Sequence, residues 1–524
     1  MSISFGPISY GRRPFRLIAA LGLAAMLGAC SNNDDDPEES EPPQPPPAAP
    51  TPGTLIESPP ARLASLTSSQ LLDAIELNAV GERILEFIIA PTCGVDVHQL
   101  RYHTLDPAGA ATTASGALMI PTGSDATCQG ARPIVVYAHG TSAEKSYNIA
   151  DLSNADNAEG LLIAITFAAQ GYIVIAPNYA GYDSSALTYH PYLHAEQQSK
   201  DAVDALSAAR GALPTSTAPT IADGGQLFIT GYSQGGYVAM ATHRRLQQDG
   251  ATVTASAPMS GPYALGAFGD AVFQGQVIDS APLLVSWLMT GYQRIYGNIY
   301  TAPTDAFEAR YATGIDALLP TTGSRSQLYE QGLLPREQLF SSTPPDPAYA
   351  IYTPATTPAD LAHIFARGFG TEALITNSYR LGYLQDSLTN PDGGFPTVTD
   401  GLPAAAPANA LRLAFKANDL RNWLPTAPVL LCAGNEDATV LYMNTDLMQR
   451  YWTASGVTAA VRVLDVDSNP SLDDPDAALK VGFATAKETV ALAGGAAAVA
   501  EVYHSTLVPP FCLSAVQSFF DGSR

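Results

Sequence analysis

The sequence predicts an α/β architecture, a mostly parallel sheet with helices on both faces, interrupted by a large and mainly helical insertion. Three observations carry this. Short apolar runs of strand length alternate with stretches of helical character, the pattern of a parallel sheet buried on both faces. The run Gly231-Tyr232-Ser233-Gln234-Gly235 lies between a strand-like and a helix-like segment, which puts a serine at the tip of a sharp strand-to-helix turn. Residues 263–424 then lack the alternation, which resumes at Pro428-Val429-Leu430-Leu431-Cys432. An excursion of that length from one edge of a sheet is usually functional, so it is predicted to be a cap over the site.

Taken in order, residues 1–29 are predicted to be a targeting signal. Arg12, Arg13 and Arg16 precede an apolar run, Leu17 to Leu27, too short to span a bilayer. Leu27-Gly28-Ala29-Cys30 resembles a bacterial lipoprotein cleavage box, which implies that Cys30 carries acyl chains and begins the mature chain. Ser31 rather than aspartate after it resembles lipoproteins sorted to the outer membrane, and Arg12-Arg13-Pro14-Phe15 faintly resembles a twin-arginine signal. Residues 30–60, with Asp34-Asp35-Asp36, Glu38, Glu39, Glu41 and Pro45-Pro46-Pro47, read as an unstructured tether. Like charges repel there, and proline favours extended chain.

The catalytic domain is predicted over 61–262 and 425–524. Its strands are Pro133-Ile134-Val135-Val136-Tyr137-Ala138, Tyr172-Ile173-Val174-Ile175-Ala176, Gln226-Leu227-Phe228-Ile229-Thr230, Val253-Thr254-Ala255-Ser256-Ala257 and the run at 428–432. A helix is expected from Ala195 to Leu213, another after Ser233, and a closing one from Leu513 to Phe520. Besides Cys30, four cysteines remain, an even number in an exported chain. Local order favours Cys93 with Cys128 and Cys432 with Cys512 among three possible pairings.

Composition narrows the function. Hydrophobic residues make up 46% of the chain and charged ones 14%, enough for a sizeable core. A formal charge of −23 argues against nucleic acid and against electrostatic attraction to anionic lipid. No feature sets an oligomeric state, and the chain is read as a monomer.

A serine nucleophile needs a base, and the base an orienting carboxylate. His504 is the histidine that follows the insertion; it is preceded by Val499 to Tyr503, expected to be a strand or loop edge. The acid is expected just after the strand at 428–432, where spacing from Gly434 to Val440 favours Asp437 over Glu436. Asp465 and Asp467 remain alternatives. The oxyanion needs two main-chain donors. Gln234, after the nucleophile, supplies one, and Thr141 in His139-Gly140-Thr141 is expected to supply the other, with His139 packing rather than reacting. Metals fit poorly. His190 and His194 have helical ligand spacing, but Pro191 lies between them and no glutamate follows His190. Asp465, Asp467, Asn469 and Asp476 imitate part of a calcium loop, but Pro470 stands where a glycine is needed.

Tyr137-Ala138-His139-Gly140-Thr141, Pro177-Asn178-Tyr179-Ala180-Gly181-Tyr182, His190-Pro191-Tyr192-Leu193-His194, Gly231 to Gly236 and Gly434 to Val440 together resemble the secretory lipase family of α/β-hydrolases, over roughly residues 80–510. The resemblance implies carboxylic ester hydrolysis by Ser233, Asp437 and His504, without a cofactor, and a helical cap forming an acyl pocket. Two departures stand out: Asn178 where an aspartate is expected, and a long Asp437-to-His504 interval implying an insertion near 468–498. The expected activity is that of an esterase or lipase, with a serine peptidase on the same scaffold and a non-catalytic surface binding protein as the competing readings.

Overall fold

Among the residues described by the computed structural model, which are 50–76, 89–154, 158–216, 221–392 and 406–524, nine strands form one sheet in the order β1-β2-β3-β5-β4-β6-β7-β10-β11. They are β1 (Ala61–Leu66), β2 (Gly94–Leu105), β3 (Ala111–Thr122), β4 (Gly130–Ala138), β5 (Ile173–Pro177), β6 (Ile221–Tyr232), β7 (Ala255–Met259), β10 (Val429–Ala433) and β11 (Val461–Asp465). The short strands β8 (Phe340–Ser341) and β9 (Phe369–Gly370) pair separately. From β5 to β11 every neighbour is parallel, as in Val136 opposite both Ile175 and Ile229. The first three strands are antiparallel. The targeting signal, Cys30 and the tether up to residue 49 lie outside the described residues.

The pleat sends alternate residues to opposite faces. Val135, Val174, Phe228 and Leu430 meet Ile163 and Ile165 of the helix Ala158–Thr166 and Phe511 and Phe520 of the helix Val508–Asp521. Val136, Ile175 and Ile229 face Ala205, Leu206 and Ala209 of the helix Ala195–Ser216 and Ala239 of the helix Gln234–Gln248. The chain therefore has an α/β-hydrolase fold.

The insertion does not build a core of its own. Phe268, Val272, Leu283, Tyr383 and Phe415 pack in one apolar cluster with Ala138, Tyr237, Val238 and Ala241. Two buried ionic clusters tie its ends together. Arg412 pairs with Asp270 at 2.7 Å and Asp386 at 2.8 Å; Arg421 pairs with Asp392 at 2.9 Å and Asp419 at 2.8 Å. Asp419 also accepts the N–H of Gly266, so the return of the insertion is fixed to its first helix, Leu265–Phe273.

Three expectations need correction. Residues 50–60 do not belong to a free tether: the N–H groups of Gly53 and Ile56 donate to His103 and Arg101, and the N–H of His103 donates to Thr54. Extended chain here covers the stretch of β2 around Arg101 to His103 that β1 does not reach and that would otherwise carry unpaired backbone groups. Val499 to Tyr503 is not a strand edge. It ends the second arm of a helical segment over Ala477–Val502 that kinks at Gly495 (φ 73°), and a wide turn over Tyr503–Leu507 follows; the alanine-rich composition explains the helical arms. Third, the strand placed at Val253 begins at Ala255.

Both disulfides, Cys93–Cys128 and Cys432–Cys512, pair as local order favours. The second joins β10 to the closing helix, the two elements that flank Asp437 and His504. Replacing Cys432 and Cys512 together by alanine is expected to lower unfolding free energy by about 2–5 kcal/mol, measured by denaturant titration, with activity lost at a lower temperature than in the parent.

Candidate active site

The strand β6 ends at Tyr232, and the helix Gln234–Gln248 begins two residues later. Between them Ser233 has φ 60° and ψ −121°, a conformation that non-glycine residues rarely adopt. The surroundings enforce it. A Cβ on Gly235 would overlap the carbonyl of Ala138, and one on Gly231 would overlap the same carbonyl and that of Gly235. The Ser233 N–H donates to Met259 at 3.0 Å, tying the turn to β7.

His504 lies in the turn Tyr503–Leu507. Its Nε2 is 2.8 Å from Ser233 Oγ, and its Nδ1 is 2.6 Å from Asp437 Oδ2. Asp437 is 1% exposed. Its Oδ1 accepts the N–H groups of Thr439 and Val440, each at 2.9 Å, which leaves Oδ2 to take the Nδ1–H of His504. Nε2 then presents a lone pair to the Ser233 hydroxyl. The Tyr232 hydroxyl donates to the His504 carbonyl at 2.6 Å and holds the turn against β6.

The other carboxylates considered are engaged elsewhere. Glu436 pairs with Lys487 at 2.7 Å. Asp465 accepts from Asn435. Asp467 accepts from Lys487 at 2.6 Å and from the Tyr503 hydroxyl at 2.7 Å, so it braces the residue beside His504 without touching the imidazole. Asp476 pairs with Arg462. Among the described residues no group of three His, Cys, Asp or Glu side chains is arranged to hold a metal ion.

Thr141 and Gln234 line one cavity with Ser233 and His504. Gln234 is the first helical residue, so its N–H has no partner within the helix. Among the described residues neither of the two main-chain N–H groups donates to another protein group. The cavity has a volume of about 530 Å³, and apolar side chains of the insertion, among them Phe268, Val272, Leu284, Leu288 and Phe415, form one part of its wall.

His190 and His194 do not converge. His194 Nδ1 accepts the N–H of Gln197 at 3.2 Å. His190 donates from Nδ1 to Ala180 at 2.9 Å, while its Nε2 accepts from the side-chain amides of Gln234 at 2.8 Å and Gln198 at 3.1 Å. Burial pushes the His190 imidazole down to about 3, so it stays a neutral acceptor. His139 is fully buried, stacked on Tyr179 at 4.3 Å, and pushed by burial down to about 4. Asn178 ties the chain after β5 to its neighbours, accepting from the Ile149 N–H at 2.8 Å and donating to Ser115 at 2.9 Å.

Sequence reasoning did not single out Glu159. It lines the cavity, its Oε1 accepts the Tyr137 hydroxyl at 2.7 Å, and the Gly140 N–H donates to its two oxygens at 3.0 and 3.2 Å. Burial pushes its carboxyl up to about 7, against the opposing pull of those hydrogen bonds. Nothing in the local sequence marks it, because only the topology carries the helix Ala158–Thr166 beside the end of β4.

Fold and site together define a hydrolase of the α/β-hydrolase superfamily. Residues 162–279 match the prolyl oligopeptidase family. The structure resembles the rice cell wall degrading esterase LipA from Xanthomonas oryzae, with 25% sequence identity and a TM-score of 0.64 over 91% of this chain and all of that one. It also shares its fold with a protein from Legionella pneumophila, at 18% identity and a TM-score of 0.59, over 88% of this chain and 96% of that one. No curated protein matches in sequence.

The close approach at Gly235 has a direct test. Gly235→Ala is expected to push the helix Gln234–Gln248 off β4, costing about 1–3 kcal/mol and most of the hydrolytic activity, whereas Gly211→Ala, in open space on the exposed side of the helix Ala195–Ser216, leaves activity intact. Thermal melts and a p-nitrophenyl ester assay check both.

Proposed function

We propose that the chain is a carboxylic ester hydrolase that works through Ser233, His504 and Asp437 by way of an acyl-enzyme. The observation that carries this is the hydrogen-bonded row from Ser233 Oγ through His504 to Asp437 Oδ2 beside an apolar cavity. The Ser233 proton passes to His504 Nε2 as Oγ attacks the ester carbonyl. Asp437 stabilises the imidazolium, and the N–H groups of Gln234 and Thr141 receive the oxyanion. His504 then protonates the leaving alcohol, and the ester C–O bond breaks. Water, deprotonated by the same imidazole, attacks the acyl-enzyme and releases the carboxylic acid and free Ser233.

The cavity supports an ester with an apolar acyl part. At about 530 Å³ it falls within the range of roughly 300–1,000 Å³ common for small-molecule sites. The likeness to the LipA esterase agrees with this chemistry. A serine peptidase is the second reading, favoured by the prolyl oligopeptidase match over the segment that contains Ser233. The apolar walls contributed by the cap favour the ester. Parallel assays on p-nitrophenyl acyl esters and aminoacyl anilides separate the two: faster anilide cleavage would select the peptidase.

On this reading the protein is exported as a monomer and held on a bacterial membrane, the outer one, by acyl chains on Cys30. Two disulfides suit an oxidising compartment. Among the described residues no helix is long and apolar enough to cross a membrane.

Two outcomes are expected. Ser233→Ala and His504→Ala each lower kcat by on the order of 10⁴–10⁶, and the double variant is no worse than either, because the residues act as a unit; additive losses in steady-state kinetics would contradict this. Val272→Trp fills part of the cavity, so kcat/KM should fall for long p-nitrophenyl acyl esters and hold for the acetate, by about tenfold in their ratio.

A further inference from the structure

Gly140 is clamped at both of its backbone groups. Its N–H donates to both oxygens of Glu159, at 3.0 and 3.2 Å, and Glu159 is itself held by the Tyr137 hydroxyl at 2.7 Å. Its carbonyl accepts from His139 Nδ1 at 2.6 Å, and His139 is fixed by burial and by stacking on Tyr179. A trans peptide points its C=O and its N–H in opposite directions. With the Gly140 carbonyl turned onto His139, the N–H of Thr141, which belongs to the same peptide unit, is turned the other way. Thr141 lines the cavity alongside Ser233 and Gln234.

A glycine at this position is free to rotate unless something holds it. The side chain of Glu159 supplies that hold from a separate helix, where it reaches the cavity but not the imidazole-hydroxyl row. Its oxygens accept from Tyr137 and Gly140 of the strand and loop that precede Thr141, whereas Ser233 Oγ and the His504 imidazole bond to one another and to Asp437. We infer that Glu159 is a positioning residue whose carboxyl locks the Gly140 backbone, so that the Thr141 N–H stands ready for the oxyanion. The inference rests on the ester hydrolase reading above. Oxyanion donors act on the transition state far more than on the bound ester, so loss of the lock falls on kcat and leaves KM.

The test compares wild type, Glu159→Ala and Glu159→Gln in steady-state hydrolysis of p-nitrophenyl butyrate, with inhibition by phenylboronic acid, whose serine adduct mimics the tetrahedral intermediate. Glu159→Ala is expected to lose at least about tenfold in kcat with KM within about twofold, and boronate affinity should weaken in step with kcat/KM. Glu159→Gln keeps an acceptor oxygen for Gly140 and is expected to recover most of the loss. Wild-type kcat in Glu159→Ala, a loss carried by KM, or unchanged boronate affinity would overturn the lock. Should Glu159→Ala fail to fold, Tyr137→Phe decides, since it removes one donor to the carboxyl and keeps the ring. A smaller drop in kcat at constant KM supports the lock, and an unchanged kcat overturns it. A wild-type protein inert on every ester would overturn the hydrolase reading itself, which separates that failure from failure of the lock.

Discussion

A serine held at φ 60° between a strand and a helix stores on the order of 1–3 kcal/mol of backbone strain, and the architecture around it exists in large part to enforce that conformation. The helix Gln234–Gln248 approaches β4 so closely that only glycine fits at 231 and 235. That approach requires β4, β6 and β7 to be packed in parallel register, which the two apolar layers on either face secure. The same arrangement puts the ends of β4, β6 and β10 on one side of the sheet, so that Thr141, Ser233 and Asp437 emerge near one another. Ligand sites of open parallel sheets form at these strand ends for the same reason.

The insertion lines part of the cavity beside Ser233 and packs into the same core as the sheet domain. Its apolar residues share a cluster with the helix that follows Ser233, and its buried arginines, Arg412 and Arg421, close its own ends. Arg412 and Arg421 are almost fully buried, each between two aspartates. Such pairs add little net stability over apolar packing, but leaving one partner alone is costly, so they fix one arrangement of the cap. The part of the cavity wall formed by the insertion inherits that arrangement, so contacts distant from Ser233 bear on the shape of the cavity.

Much of the fold was legible in the sequence for physical reasons. Strands buried on both faces must be continuously apolar, and β4, β5, β6 and β10 could be located within a few residues on that basis. The antiparallel β2 and β3 were not located, because one long hairpin at a sheet edge mixes polar residues such as His98, Gln99 and Arg101 into its pattern. The order of Ser233, an acid and His504 along the chain pointed to the residues that the structure brings together. Choosing among Glu436, Asp437, Asp465 and Asp467 depends on side-chain direction: the N–H groups of Thr439 and Val440 orient Asp437 toward His504, while Lys487 and Tyr503 draw Asp467 away. Glu159 was not legible as a site residue, since only the topology carries its helix to the cavity beside the end of β4.

Ester hydrolysis by the proposed route requires that Ser233 Oγ carry the acyl group. Rapid acid quench of the wild-type enzyme during turnover of p-nitrophenyl butyrate, followed by peptide mass spectrometry, tests it most directly. A butyryl mass on the peptide containing Ser233, formed with a burst of p-nitrophenol and absent from Ser233→Ala, is the predicted result. Steady hydrolysis with the adduct on another residue, or with hydrolysis undiminished in Ser233→Ala, would contradict it.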